Sequence, residues 1–124
     1  MNRYRLFVYG TLRTTDSRAF LLSSLQDKGD TKFIRDAKTA DKYKLVSLGP
    51  FPALLENGSQ QIVGELWDID ERTKRHLDVV EGVPTLYIDK EIELEDGSKA
   101  IAYIQDWDRG YPEIVSGDWF DREV

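Results

Sequence analysis

The run Leu6-Phe7-Val8-Tyr9-Gly10-Thr11-Leu12-Arg13 carries an apolar strand straight into a glycine turn, so the fold must bury a strand close to its start. Glycine at position 10 either lets the backbone approach another group closely or takes a positive φ that side chains resist. In both cases the amides of Gly10, Thr11 and Leu12 stand at a strand end, where loop amides can face a carboxylate. The plainer reading is a tight turn leaving a core strand. Ser17 then caps a short helix expected over 18–25.

Beyond that helix the pattern is mostly β. Strands are expected over 5–9, 32–40 and 43–48, the last ended by Gly49-Pro50-Phe51-Pro52, which cannot lie within a central strand and should wrap across the core. Glu56-Asn57-Gly58-Ser59 reads as a hairpin turn, and over 61–69 Ile62, Gly64 and Leu66 alternate with Val63, Glu65 and Trp67 as in a packed strand. Asp70 is placed to cap a helix over 71–81, with acid in its first turn and Gly82 and Pro84 as stop signals. Strands over 87–94 and 99–107 flank Glu95-Asp96-Gly97-Ser98, an Asp-Gly hairpin, while the tail from 108 has too little periodicity to assign. The expectation is an α+β domain spanning 1–124, in which several strands curl round one core and two helices pack on them.

Composition narrows the chemistry. The 124 residues, 40% of them hydrophobic, suit one domain with one core. Seventeen basic residues against 23 acidic ones give a net charge of -6 with the cations scattered, which argues against nucleic acid or an anionic membrane as partner. The absence of cysteine excludes disulfides, thiolate metal sites and a cysteine nucleophile. No apolar window approaches the roughly 20 residues of a membrane span, and the N-terminus enters a strand without a signal core, so a cytoplasmic location is expected.

Tyr9-Gly10-Thr11-Leu12, Gly49-Pro50-Phe51-Pro52-Ala53-Leu54, Val63-Gly64-Glu65-Leu66-Trp67, Leu77-Asp78 through Glu81-Gly82, Pro84 and Tyr87 follow the order and spacing of the gamma-glutamylcyclotransferase superfamily. The match extends to Ser116-Gly117-Asp118-Trp119, and the chain is most similar to the gamma-glutamylamine cyclotransferase branch. The resemblance implies a small mixed β-barrel with flanking helices, an anion-holding loop at Tyr9-Gly10-Thr11-Leu12 and a catalytic glutamate at Glu81. It further implies a small-molecule γ-glutamyl substrate, no metal or organic cofactor, and a monomer or weak homodimer. The alternative on the same fold is a non-catalytic module that binds a carboxylate or γ-glutamyl group.

The residue chemistry agrees with that implication. A carboxylate at a helix C-terminus faces the negative end of the helix dipole, which raises its pKa toward that of a general base, and desolvation beside Val80, Leu86 and Tyr87 would act in the same direction. The other reading of Glu81 is a solvated carboxylate on a helix rim. Backbone amides of the first loop or the Tyr87 hydroxyl are the donors available to a developing oxyanion, and Tyr9 either lines the pocket or fills the core. His76, flanked by Lys74, Arg75 and Asp78, reads as a surface helix residue, Asp68, Asp70 and Glu71 as helix-capping acid, and Trp67, Trp107 and Trp119 as core anchors or pocket rim.

Two departures from the family pattern bear on the leaving group. Thr14-Thr15-Asp16-Ser17 lacks the glycine and asparagine frequent there, and Asp89 stands two residues after Tyr87 where an arginine is common. A lysine-like amine, a polyamine, an antibiotic amine and another γ-glutamyl adduct all stay open as leaving groups.

Overall fold

In the computed structural model of the chain the described residues are 3–10 and 31–121; the helix expected over 18–25 lies outside them, as do Thr11 and Leu12. Strand β1 (Arg3–Val8) lies in a five-stranded sheet with β2 (Thr31–Lys38), β5 (Val63–Asp70), β6 (Ile88–Glu93) and β7 (Lys99–Ile104), in the order β2-β5-β1-β7-β6. The pairings are antiparallel except β1 with β7, which run parallel at Leu6–Ile101. β1 and β5 are interior strands, and their stretches 6–8 and 64–67 are buried on both faces. Phe7, Tyr9 and Leu66 enter one buried cluster with Ala102, Ile104 and Trp119. Leu6, Val8, Trp67 and Ile69 enter a second with Leu77, Tyr87 and Tyr103.

The sheet is rolled without being a closed barrel. Its two edge strands meet at one end only, where Thr39 bridges Leu94, the Ala40 amide donates to the Glu93 carbonyl at 3.0 Å and the Glu95 amide to the Lys38 carbonyl at 3.0 Å. The α+β expectation therefore holds, with the barrel left open along most of the β2 and β6 edges.

A two-stranded ribbon, β3 (Tyr43–Ser47) and β4 (Pro52–Glu56), packs over this sheet. Here the sequence expectation needs correction, because residues 52–56 form a strand and the hairpin turn is at 48–51 rather than 56–59. Gly49 supplies a φ of 100° in that turn, and the Leu48 amide donates to the Phe51 carbonyl at 2.8 Å. Pro52 is tolerated because it is the first residue of its strand, where no central ladder needs its missing donor. Asn57, at φ 64°, does make a turn, but one that passes the chain from the ribbon to β5 in the other sheet.

The aperiodic tail is held by backbone pairing. The Ser47 amide donates to Pro112 at 2.8 Å, Ile114 to Leu45 at 2.7 Å and Val63 to Gly117 at 2.9 Å, and these bonds deliver Trp119 into the core. Trp67 is likewise buried, whereas Trp107 is exposed with the Arg109 guanidinium 4.3 Å from its ring centre. Among the described residues no helix is long and apolar enough to cross a membrane.

Helix α1 (Glu71–Val80) begins as the sequence suggests. The Asp70 side chain accepts from the Thr73 amide at 2.8 Å, and Glu81 is the C-cap residue. The neighbouring acids are also occupied, Asp68 by Arg3 at 3.1 Å and Glu71 by Arg75 at 3.2 Å. The Thr73 hydroxyl and amide hold the Asp70 carboxyl below its ordinary value, so its contribution to stability is present above the unfolded value near pH 4 and is lost as pH falls through the lower folded value. Replacing Asp70 by Ala is expected to cost about 1 kcal/mol in urea unfolding at neutral pH, with the difference from wild type shrinking at pH 3.

Candidate active site

One open cavity of about 90 Å³ gathers the residues that the sequence pattern separates. The end of β1 contributes Phe7 to Gly10, the ribbon turn Phe51 and Pro52, the end of α1 Val80 and Glu81, and the following segment Leu86 and Tyr87, with Tyr103 from β7. Among the expected site residues, Tyr9, Gly10, Glu81 and Tyr87 thus share one wall-to-wall space, while Thr11 and Leu12 lie outside the described residues. Among the described residues, none from 108 to 121 lines it.

Gly10 is needed for close approach rather than for a positive φ. A Cβ there would lie 2.6 Å from Cγ and 2.9 Å from Cδ of Pro52, so a side chain would push the ribbon turn off the strand end. Gly82, directly after Glu81, does adopt a positive φ of 67°, and its amide donates to the Val79 carbonyl at 3.1 Å as the helix closes. The Glu81 amide itself donates to Leu77 at 2.8 Å, which fixes the backbone from which the carboxylate projects.

The three tyrosines of the cavity are walls whose protons are already engaged. Tyr9 donates its hydroxyl proton to the Tyr103 carbonyl and accepts the Leu54 amide at 3.0 Å. Tyr87 donates to the Pro52 carbonyl at 2.7 Å, and Tyr103 to an Asp78 carboxylate oxygen at 2.7 Å. The Tyr87 hydroxyl is therefore not a ready oxyanion donor, since its one proton holds the ribbon. Tyr9, for which wall and core were both open, is both: it is buried and faces the cavity.

Beneath Tyr103 lies a group of charges that motif reading missed. Lys74 is buried on α1, with its ammonium 2.7 Å from Asp78 and 2.8 Å from Asp89, and it stands 5.5 Å from the Tyr103 ring centre and 5.8 Å from that of Tyr4. The acidic Asp89, a departure from the family pattern, is here a partner of a buried cation. Helical spacing held a signal for it, since Lys74 and Asp78 are one turn apart on the face that also buries Thr73 and Leu77. His76 and Arg75 are exposed, as expected of the opposite face.

Electrostatics follow from this burial. Desolvation pushes the Tyr9 phenol well up, helped by the nearby Tyr87 and by the charge of Glu81. Tyr103 is pushed up first by burial, then by the bond to Asp78, then by the charges of Asp78, Glu81 and Asp89. For Lys74, desolvation works to lower the pKa, but the bonds to Asp78 and Asp89 outweigh it and the net direction is upward. All three raised groups keep protons that the unfolded chain releases near pH 10, so they stabilise the fold fully below that pH and progressively less above it. The urea midpoint is expected to hold steady between pH 8 and 9.5 and fall beyond pH 10, with a shallower fall in Tyr103→Phe, which lacks one of the retained protons.

Comparison with known proteins bears on this site. Residues 6–121 match the family described as gamma-glutamyl cyclotransferase, AIG2-like. A relative from Vibrio cholerae is 37% identical over 120 residues, 97% of this chain and 98% of its own length. The gamma-glutamylcyclotransferase family protein YtfP of Escherichia coli K12 is 32% identical over 119 residues, 96% of this chain and 98% of its own. Gamma-glutamylaminecyclotransferase A of Danio rerio is 33% identical over 108 residues, 79% of this chain and 66% of its own. An AIG2-like protein from Mus musculus shares the fold at a TM-score of 0.74 and 22% identity, covering 90% of this chain and 83% of its own. The chain belongs to the gamma-glutamyl cyclotransferase, AIG2-like family of enzymes.

Proposed function

We propose that this protein cleaves a γ-glutamyl amine or related γ-glutamyl adduct by cyclisation, releasing 5-oxoproline and the free amine, with Glu81 as the proton carrier. The observation that supports this most is that Glu81 is the one carboxylate among the described residues lining the cavity, which the Gly10 end of β1 also lines. The substrate's α-carboxylate would sit against the Gly10 strand end and the amides that follow it. Its α-ammonium would then lie within reach of Glu81 and give up a proton to it. The freed amine attacks the γ-carbonyl carbon and a C–N bond closes the five-membered ring; Glu81 passes the first proton to the leaving nitrogen as the bond from that carbon breaks, then relays to it the second proton that the ring nitrogen sheds, so the lactam keeps one N–H and the leaving group departs as an ammonium. No water is consumed and every proton is accounted for.

The protein's task is small because the ring size already supplies proximity. It must fold the γ-glutamyl chain, exclude water and carry two protons in turn from the ring nitrogen to the leaving nitrogen. Tyr9, Tyr87 and Tyr103 serve the first two tasks as rigid walls, because each hydroxyl is tied to the scaffold. With the Tyr87 proton spent on Pro52, stabilisation of the oxyanion falls to backbone amides of the first loop, beginning at Gly10.

Glu81→Gln keeps the side chain's size and removes its basicity. Wild type is expected to release 5-oxoproline from at least one member of a panel of γ-glutamyl amines and dipeptides, and the variant to lose about 10²–10⁴-fold in kcat while still binding substrate. A folded wild type that binds γ-glutamyl compounds and turns over none would make this a binding module.

A further inference from the structure

Three carboxylates, Asp78, Glu81 and Asp89, are close enough to act on the Tyr103 phenol, and two of them, Asp78 and Asp89, bond the buried Lys74 ammonium. The third, Glu81, lines the cavity one helical turn beyond Asp78. Side chains one turn apart on a helix are neighbours, so an uncompensated Asp78 would repel a charge on Glu81.

We propose that Lys74 is a positioning residue of this site: by holding Asp78 and Asp89 together, its ammonium shields Glu81 from their charge and keeps the Tyr103 phenol fixed in the cavity wall. Lys74 does not line the cavity and acts on it through Asp78 and through Tyr103, which does. The path is short and fully bonded, from Lys74 to Asp78 at 2.7 Å and from the Tyr103 hydroxyl to the same Asp78 oxygen at 2.7 Å. Tyr103 in turn accepts the Tyr9 proton through its carbonyl, so the clamp reaches the strand end at Gly10. Tyr9 from β1, Tyr87 before β6 and Tyr103 from β7 share the cavity with Glu81, whose charge acts on Tyr9 and Tyr103, and Lys74 and Asp78 on α1 with Asp89 on β6 stand behind Tyr103.

The inference rests on the reading of Glu81 as proton carrier for its effect on rate, but its first readout is independent of turnover. The side-chain carboxyl of Glu81 is followed by ¹³C NMR through a pH titration, with Glu81→Gln assigning the signal. Lys74→Met, which keeps length and removes charge, is expected to move the Glu81 midpoint up by about half to one pH unit, since two carboxylates lose their counter-ion. Lys74→Arg is expected to bring it back toward wild type, and Asp89→Asn, which removes a negative charge and leaves Lys74 with Asp78, to move it down. Where turnover is present, the acid limb of the kcat/KM profile follows the same three shifts. An unmoved midpoint in folded Lys74→Met, an equal upward shift in Lys74→Arg, or an upward shift in Asp89→Asn overturns the proposal. If Lys74→Met does not fold, the sign of the Asp89→Asn shift decides alone. A wild type without turnover defeats the proposed reaction and leaves the titration to judge Lys74.

Discussion

The Tyr9 hydroxyl is the joint on which the site depends. It donates to the Tyr103 carbonyl and accepts from the Leu54 amide, so one side chain at the end of β1 ties the rolled sheet to the ribbon above it. The Gln105 amide adds a second tie, donating to the Leu54 carbonyl at 3.1 Å. Without such bonds β4 would be an edge strand with buried, unmet backbone groups, a costly state in an apolar setting. With them, Pro52 is held against Gly10 and the cavity acquires its roof.

That arrangement explains why polar side chains in the cavity contribute shape before chemistry. A phenol has one proton to give, and each of the three here gives it to the scaffold. Their pKa values move up rather than toward neutrality, because burial and neighbouring carboxylates both disfavour phenolate. In the proposed reaction, proton transfer near neutral pH therefore falls to a carboxylate rather than to a phenol.

Much of this was legible in the sequence, and the parts that were not share a cause. Asp70, the Asp96-Gly97 hairpin and the β1-to-Gly10 transition are local signals, set by a cap, a turn and an apolar run that neighbours in sequence determine. The ribbon strand at 52–56 escaped because proline statistics describe central strands, whereas Pro52 opens a strand whose partner is only β3. Asn57-Gly58 is a turn, as its residues dictate, but it leads from the ribbon into β5, since turn chemistry does not say which sheet the chain enters next. Trp119 reaches the core through backbone bonds to Leu45 and Val63, which leave no periodicity in the tail to detect.

The same distinction separates Glu81 from Lys74. Glu81 is visible as a motif residue because its place at a helix end can be read along the chain. Lys74 gains its meaning only when β6 and β7 bring Asp89 and Tyr103 against α1, contacts 15 and 29 residues away in sequence. A lone buried lysine would be expensive, and two carboxylates within 3 Å are what let it stay charged. Asp89, which by motif alone counts as a departure from the family, is coherent with this chain's own helix, because an acid on β6 is paired by a base on α1 that also holds Asp78.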